Sequence, residues 1–297
     1  MTGRQTMTSD GFYAAGSTSD EIWDVKIEPA DAGWVYSGIR VLRALPGLER
    51  TFATAESEYI LVPLNGAFEV VVDRESYSLT GRDGVFSGAT DTLYVPRGST
   101  VTISSARGGR LALPNAKART RKPVRYTAAA DVPTSVRGAG SMSRRIFDFG
   151  GVDALDADRL IACEVITPGG NWSSYPAHKH EVESEHESQL EEIYYYEIQD
   201  GPGGPGSAFQ RISPTSAGGA DLLEEVRSGD TVLIPSGWHG PTMAAPGFDL
   251  YYLNVMAGSG AQRRWLITDD PNTSWVRETW SSLPVDERLA MPADARL

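Results

Sequence analysis

Two phrases in this chain share one pattern. Leu93-Tyr94-Val95-Pro96-Arg97-Gly98 and Leu233-Ile234-Pro235-Ser236-Gly237 each run an apolar strand into a Pro-x-Gly turn, their prolines 139 residues apart in a chain of 297. Around each copy lie short runs of aromatic and β-branched residues separated by turn signals. In the first half these are Trp34–Leu42, Glu58–Leu64, Ala67–Val72, Asp91–Pro96 and Arg97–Ile103. In the second they are Arg144–Phe149, Leu160–Thr167, Tyr175–His180, Glu192–Glu197, Ala208–Ile212, Thr231–Pro235 and Asp249–Val255. Such spacing predicts an all-β sandwich or barrel, not alternating strands and helices. The repeat predicts two such barrels, 1–135 and 136–297, joined through the small-residue stretch 128–143. Asn65-Gly66 between two apolar alternations predicts a hairpin.

The chain has four histidines, and all fall between positions 178 and 239. His178 and His180 alternate, so on a strand both imidazoles reach one point. Glu192 opens the strand Glu192-Ile193-Tyr194-Tyr195-Tyr196, and His239 follows the second Pro-x-Gly turn. Three imidazoles and a carboxylate suit a divalent first-row ion, Mn, Fe, Zn or Ni, with positions left for water or substrate. A solitary His-x-His is more often a pair of exposed or satisfied histidines. The later Glu, the Pro-x-Gly-Trp-His phrase and the flanking strands favour the metal reading. Since residues 1–177 hold no histidine, the first barrel is expected to carry no metal.

His-x-His, a following Glu and a later Pro-x-Gly phrase ending in His resemble the two halves of the cupin metal motif. The phrases PAHKH, LEEIYYYEI, FQR, DTVLIPSGWHG and DLYYLNVMAG further resemble the 5-deoxy-glucuronate isomerases of inositol catabolism, relatives of the 4-deoxy-threo-hexosulose-uronate isomerases. The likeness covers most of the chain and is strongest from about Gly138 to Trp265. It implies a bicupin whose metal ligands are His178, His180, Glu192 and His239. One departure is the eleven-residue gap between His180 and Glu192, much longer than in most cupins. Glu191 is the rival to Glu192, which is preferred because it stands directly before the Ile-aromatic strand.

The implied reaction is an aldose–ketose isomerisation of 5-deoxy-D-glucuronate to 5-dehydro-2-deoxy-D-gluconate, with no organic cofactor. A metal would polarise the carbonyl and neighbouring hydroxyl while a proton, or a hydride, moves between C1 and C2. Glu181 and His186, in the acidic insert after His180, are candidates for acid or base, the alternative being a solvated loop. Tyr252 is a third catalytic candidate. For the substrate carboxylate the candidates are Arg211, favoured for its fork, and Lys179, with Gln210 and Asn254 as polar neighbours. Tyr252 and Asn254 share one strand face, expected to be the interior. Two other readings stay open: a cupin Fe(II) dioxygenase, and a bicupin that binds a metal or sugar without turnover.

A net charge of −12 argues against nucleic acid or an anionic membrane as main partner. The lone Cys163 sits in an apolar run and reads as a small buried hydrophobe. No apolar run is long enough to span a membrane. The N-terminus lacks the apolar centre of a signal peptide and reads as a polar, partly mobile lead-in, so a cytoplasmic location is expected. A homo-oligomer is left open. The basic run Arg107–Arg125 reads as a solvated strand or, alternatively, an interface or an anion-attracting rim. The residues after Arg264 are expected to pack outside as short helices or a tail.

Overall fold

The computed structural model describes residues 11–290; the first ten residues of the polar lead-in and the last seven of the tail lie outside them. Almost all regular structure is antiparallel strand, in sheets of seven, nine and six strands. The nine-stranded sheet, centred on Ser57–Val72, curls around the core of the first barrel. The second barrel sets the seven-stranded sheet, with Leu190–Ile198 between Thr231–Ile234 and Leu250–Gly258, across from the six-stranded one. Strand alternation gives each main sheet two apolar faces. In the second barrel Tyr194, Tyr196 and Tyr252 point into the barrel core. Their neighbours Ile193, Tyr195, Tyr251, Leu253 and Val255 instead join Ile39, Val41, Ile60 and Val62 of the first barrel in a core shared between the two. Burying both faces of both sheets is what makes the barrels one body.

Buried carboxylates fix the seam. Glu58, fully buried, accepts the backbone N–H groups of Asp158, Arg159 and Leu160 at 2.9, 2.6 and 2.7 Å, as well as the Tyr94 hydroxyl. Glu191 accepts the backbone N–H groups of Val35, Tyr36 and Ser37 at 2.9, 2.8 and 2.8 Å. Register makes these two clamps equivalent. Tyr59 pairs with Val95, and Glu192 with Ile234, the residues just before the repeated prolines. Glu58 therefore stands where Glu191 stands in the other barrel, and Tyr59 stands where Glu192 does. Between the clamps the Arg82 guanidinium lies on Glu164, which also accepts the Tyr251 hydroxyl.

Several expectations change. Asn65-Gly66 does not turn a hairpin: both residues lie within the single 16-residue strand Ser57–Val72, at irregularities in its pairing with both neighbours. Gly66 takes φ +86°, and a Cβ there would lie 2.7 Å from the Gly108 carbonyl, so the glycine serves a close backbone approach. Phe12–Tyr13 of the lead-in is no free tail; it pairs with Thr231–Val232 as an edge strand of the second barrel. The expected boundary at 135/136 falls inside strand Thr134–Arg137, which already belongs to the second barrel's sheet. The basic run is largely spent internally: Arg110 on Glu197, Arg121 on Asp73, Lys122 on Asp156. No described helix is long and apolar enough to cross a membrane.

Candidate metal centre and its cavity

Glu192 faces the interior because Glu191, one residue earlier, faces the seam. Its Oε2 lies 3.1 Å from His180 Nε2 and 2.9 Å from His239 Nε2. The candidate ligand atoms of His180, Glu192 and His239 all lie within 4.8 Å of one another. His178 and His239 are directly opposed on antiparallel strands, their rings 4.4 Å apart. The His178 nitrogens fall outside the tight group of three. The turn before His239 depends on Gly237 at φ +101°.

Tautomers are set from behind. His180 Nδ1 is 3.1 Å from the Leu190 carbonyl and His239 Nδ1 is 3.2 Å from the Gly237 carbonyl. A carbonyl only accepts, so each Nδ1–H donates to it and each Nε2 is the atom turned toward Glu192, where a cation would be held. Glu192 Oε1, His239 Nε2 and His178 Nδ1 are buried without a hydrogen-bond partner. Burial would raise the Glu192 carboxyl, but the imidazoles of His239 and His180 outweigh it and hold it below the usual carboxylate range. His178 is pushed well down, by burial first and then by His239. A buried carboxylate among three imidazoles, whose protons a metal ion would replace, with polar atoms left unpartnered beside it, fits a divalent cation.

Beside His178 opens a cavity of about 140 Å³. Tyr252 and Asn254 line it, as do Ser174, Tyr194, Arg144 and Trp265. Tyr194 and Tyr252 stack at 4.7 Å, their hydroxyls 3.0 and 3.3 Å from Ser174 Oγ. Burial raises both phenols, so they stay protonated and can donate. A larger cleft of about 400 Å³, lined in part by Glu181 and Glu191, includes none of the histidines and not Glu192.

The proposed cations lie elsewhere than expected. Arg211 alternates with the inward Gln210 and turns outward, its guanidinium on Asp221 at 2.5 Å. Lys179 points away from the cavity onto Glu187 at 2.8 Å and Glu181 at 3.2 Å. Gln210 is buried but bonded to Tyr196 and Thr242 within the barrel core. Glu181 accepts the Gly237 N–H and lines the other cleft. His186 is exposed on the insert, which folds around the buried Glu187, acceptor of the Glu181 and Val182 N–H groups. Arg211→Ala is therefore expected to leave kcat/KM within about twofold and to cost about 1 kcal/mol or less, as measured by turnover and thermal melts.

The cavity's cations come from the stretch read as connection (Arg137), the first residue of an expected strand (Arg144) and the expected tail (Arg277). Arg137 and Arg144 flank the start of the second barrel, and Arg277 lies in a short helix, Val276–Thr279. Thr268–Asp269 pairs with His178–Lys179 as a further strand, so the residues after Arg264 build a wall of the site and do not merely pack outside. Burial, with Arg137 and Arg277 nearby, pushes the Arg144 guanidinium down to about 10; it stays charged at neutral pH.

The model of the KduI/IolB family matches residues 12–276. The chain belongs to the KduI/IolB family. Among family proteins, a 5-deoxy-glucuronate isomerase of Geobacillus kaustophilus is 36% identical over 258 residues, covering 86% of this chain and 91% of that one. The namesake from Geobacillus thermodenitrificans is 36% identical, covering 90% and 96%. An IolB-like protein of Salmonella typhimurium superposes with a TM-score of 0.81 at 31% identity, over 90% of this chain and 98% of that one. At 11% identity and a TM-score of 0.61, a Lactobacillus farciminis oxalate decarboxylase covers 94% and 98%; that likeness concerns the fold alone. The fold is a bicupin, and the chain, like its named relatives, is an isomerase.

Proposed function

We propose that this chain is a metal-dependent aldose–ketose isomerase that converts 5-deoxy-D-glucuronate to 5-dehydro-2-deoxy-D-gluconate. The substrate comes from the name its relatives carry. The observation that carries metal dependence is the buried His180–Glu192–His239 group, with His178 as the fourth ligand. A divalent ion held there would supply a Lewis acid for the carbonyl and adjoining hydroxyl of the open-chain sugar.

The chain's own groups do the rest. The Nδ1–H bonds to Leu190 and Gly237 orient the imidazoles before anything binds. The protonated Tyr194 and Tyr252 hydroxyls donate hydrogen bonds toward substrate oxygens. Asn254 Oδ1, buried without a partner, accepts from a substrate hydroxyl. No redox partner is needed, because substrate and product are isomers.

A proton NMR time course with the metal-loaded protein, run without oxygen, tests this. Conversion to the ketone is expected, abolished by chelation and restored by adding the ion back. Turnover that requires oxygen would replace the isomerase with a dioxygenase, and metal binding without turnover would leave a binding protein. In deuterated water, label appearing at the former aldehyde carbon marks proton transfer; its absence marks a hydride shift.

A further inference from the structure

The site described so far accounts for the sugar's carbonyl end and leaves its carboxylate without a partner. One residue of the cavity wall has the complementary need. Arg144 is 6% exposed, yet among the described residues it makes no ion pair. Its one hydrogen bond there runs from Nη1 to the Met142 carbonyl at 3.1 Å, and its guanidinium lies over the Trp280 ring, 5.6 Å from the centroid. A buried cation without an anion is costly to keep, and folds retain one where something else supplies the charge. The same cavity holds three buried polar atoms with no partner: His178 Nδ1, Asn254 Oδ1 and Trp265 Nε1. The two neighbouring arginines are otherwise engaged, Arg277 on Asp269 and Arg137 over Trp265. Arg277 is neutralised by its carboxylate and Arg137 is exposed to water, so Arg144 is the buried cation of the three without an anion.

We propose that Arg144 is the anchor for the substrate carboxylate, receiving it in the cavity between the Tyr194–Tyr252 stack and Trp265. This deepens the isomerase reading and rests on it. The arrangement assigns one end of the substrate to each end of the cavity: the reacting carbonyl to His178 and the metal group, the carboxylate to Arg144. Specificity for a sugar acid over a neutral sugar then resides in the first residue of strand Arg144–Gly150, and not in Arg211 or Lys179.

The test compares 5-deoxy-D-glucuronate with its primary carboxamide, a neutral isostere, on metal-loaded wild type and Arg144→Met. Loss of a charge-assisted, fork-shaped pair is expected to lower kcat/KM for the acid by about 100-fold, mostly through KM. The carboxamide should change by less than about threefold, so the wild-type preference for the acid collapses. Equal losses on both substrates, or a preference kept in Arg144→Met, would overturn the anchor. Thermal melts separate a structural role: with no acid partner to strand, Arg144→Met should melt within about 4 °C of wild type. If that variant does not fold, Arg144→Lys serves; it should keep the acid preference with KM raised about tenfold, because the charge stays and the fork goes. If wild type converts neither compound, the isomerase reading fails. Calorimetric binding of the same two compounds then tests the anchor alone: acid preferred by wild type and not by Arg144→Met supports it, and equal binding by wild type overturns it.

Discussion

Glu192→Gln is expected to lower kcat on the order of 10³-fold and to strip the bound metal, while leaving the fold intact. The substitution keeps the shape of the side chain but removes the only anion at the centre of the three imidazoles. Without it, divalent affinity should fall by at least about 10–100-fold, the loss typical of weaker perturbations around a metal. Metal per chain by elemental analysis and turnover by NMR check this together. A variant that holds a full complement of metal and turns over normally would remove Glu192 from the centre. The contrast with Glu191→Gln sharpens the test. These neighbours face opposite sides of one strand, so the second change should leave the ligand set complete and act on the seam between barrels.

Glu58→Ala should have the largest effect on stability. It strands three backbone N–H groups and the Tyr94 hydroxyl in a fully buried site, at about 1–3 kcal/mol for each unsatisfied group before relaxation. A net loss of about 3–5 kcal/mol is expected, lowering the melting temperature by roughly 6–15 °C. Glu191→Ala should cost less. Its clamp accepts from Val35, which is 52% exposed, so water can take over part of the bonding. Thermal or denaturant unfolding of both variants tests the order; equal costs would mean that burial does not decide the worth of these clamps. Glu58 lies in the other barrel, so the Glu58→Ala protein should keep its metal below its melting temperature.

The fold class was legible in the sequence because period-two alternation and turn residues are local signals, and the repeated Pro-x-Gly phrase exposed the duplication. The Asn65-Gly66 signal misled because a bulged strand uses the same residues as a hairpin turn; only the approach of Gly108 distinguishes them. The histidine–glutamate cluster was readable for a related reason: His178, His180, Glu192 and His239 fall within 62 positions of chain, at strand ends whose geometry is regular. The cavity cations were not. Arg137 and Arg144 lie close in sequence, but Arg277 is more than a hundred residues further on; the three carry no motif, and their meeting is a matter of tertiary packing. For Arg211, the alternation along Ala208–Ser213 was the available signal: with Gln210 taken as inward, its neighbour had to face out.

The two carboxylate clamps have a consequence for recombination. Each glutamate grips amide hydrogens, and every residue except proline offers one. The Glu58 carboxylate therefore makes no demand on the identities of residues 158–160, and the Glu191 carboxylate makes none on residues 35–37, although the Ser37 hydroxyl also donates to the Glu191 main-chain carbonyl. The halves of a chimaera drawn from two family members would still engage each other through both grips, whatever had drifted at those positions. A shared apolar core must be matched shape to shape, but this part of the joint is a universal fitting. It lets the barrel that carries the histidines change around its chemistry while the other barrel keeps hold of its backbone.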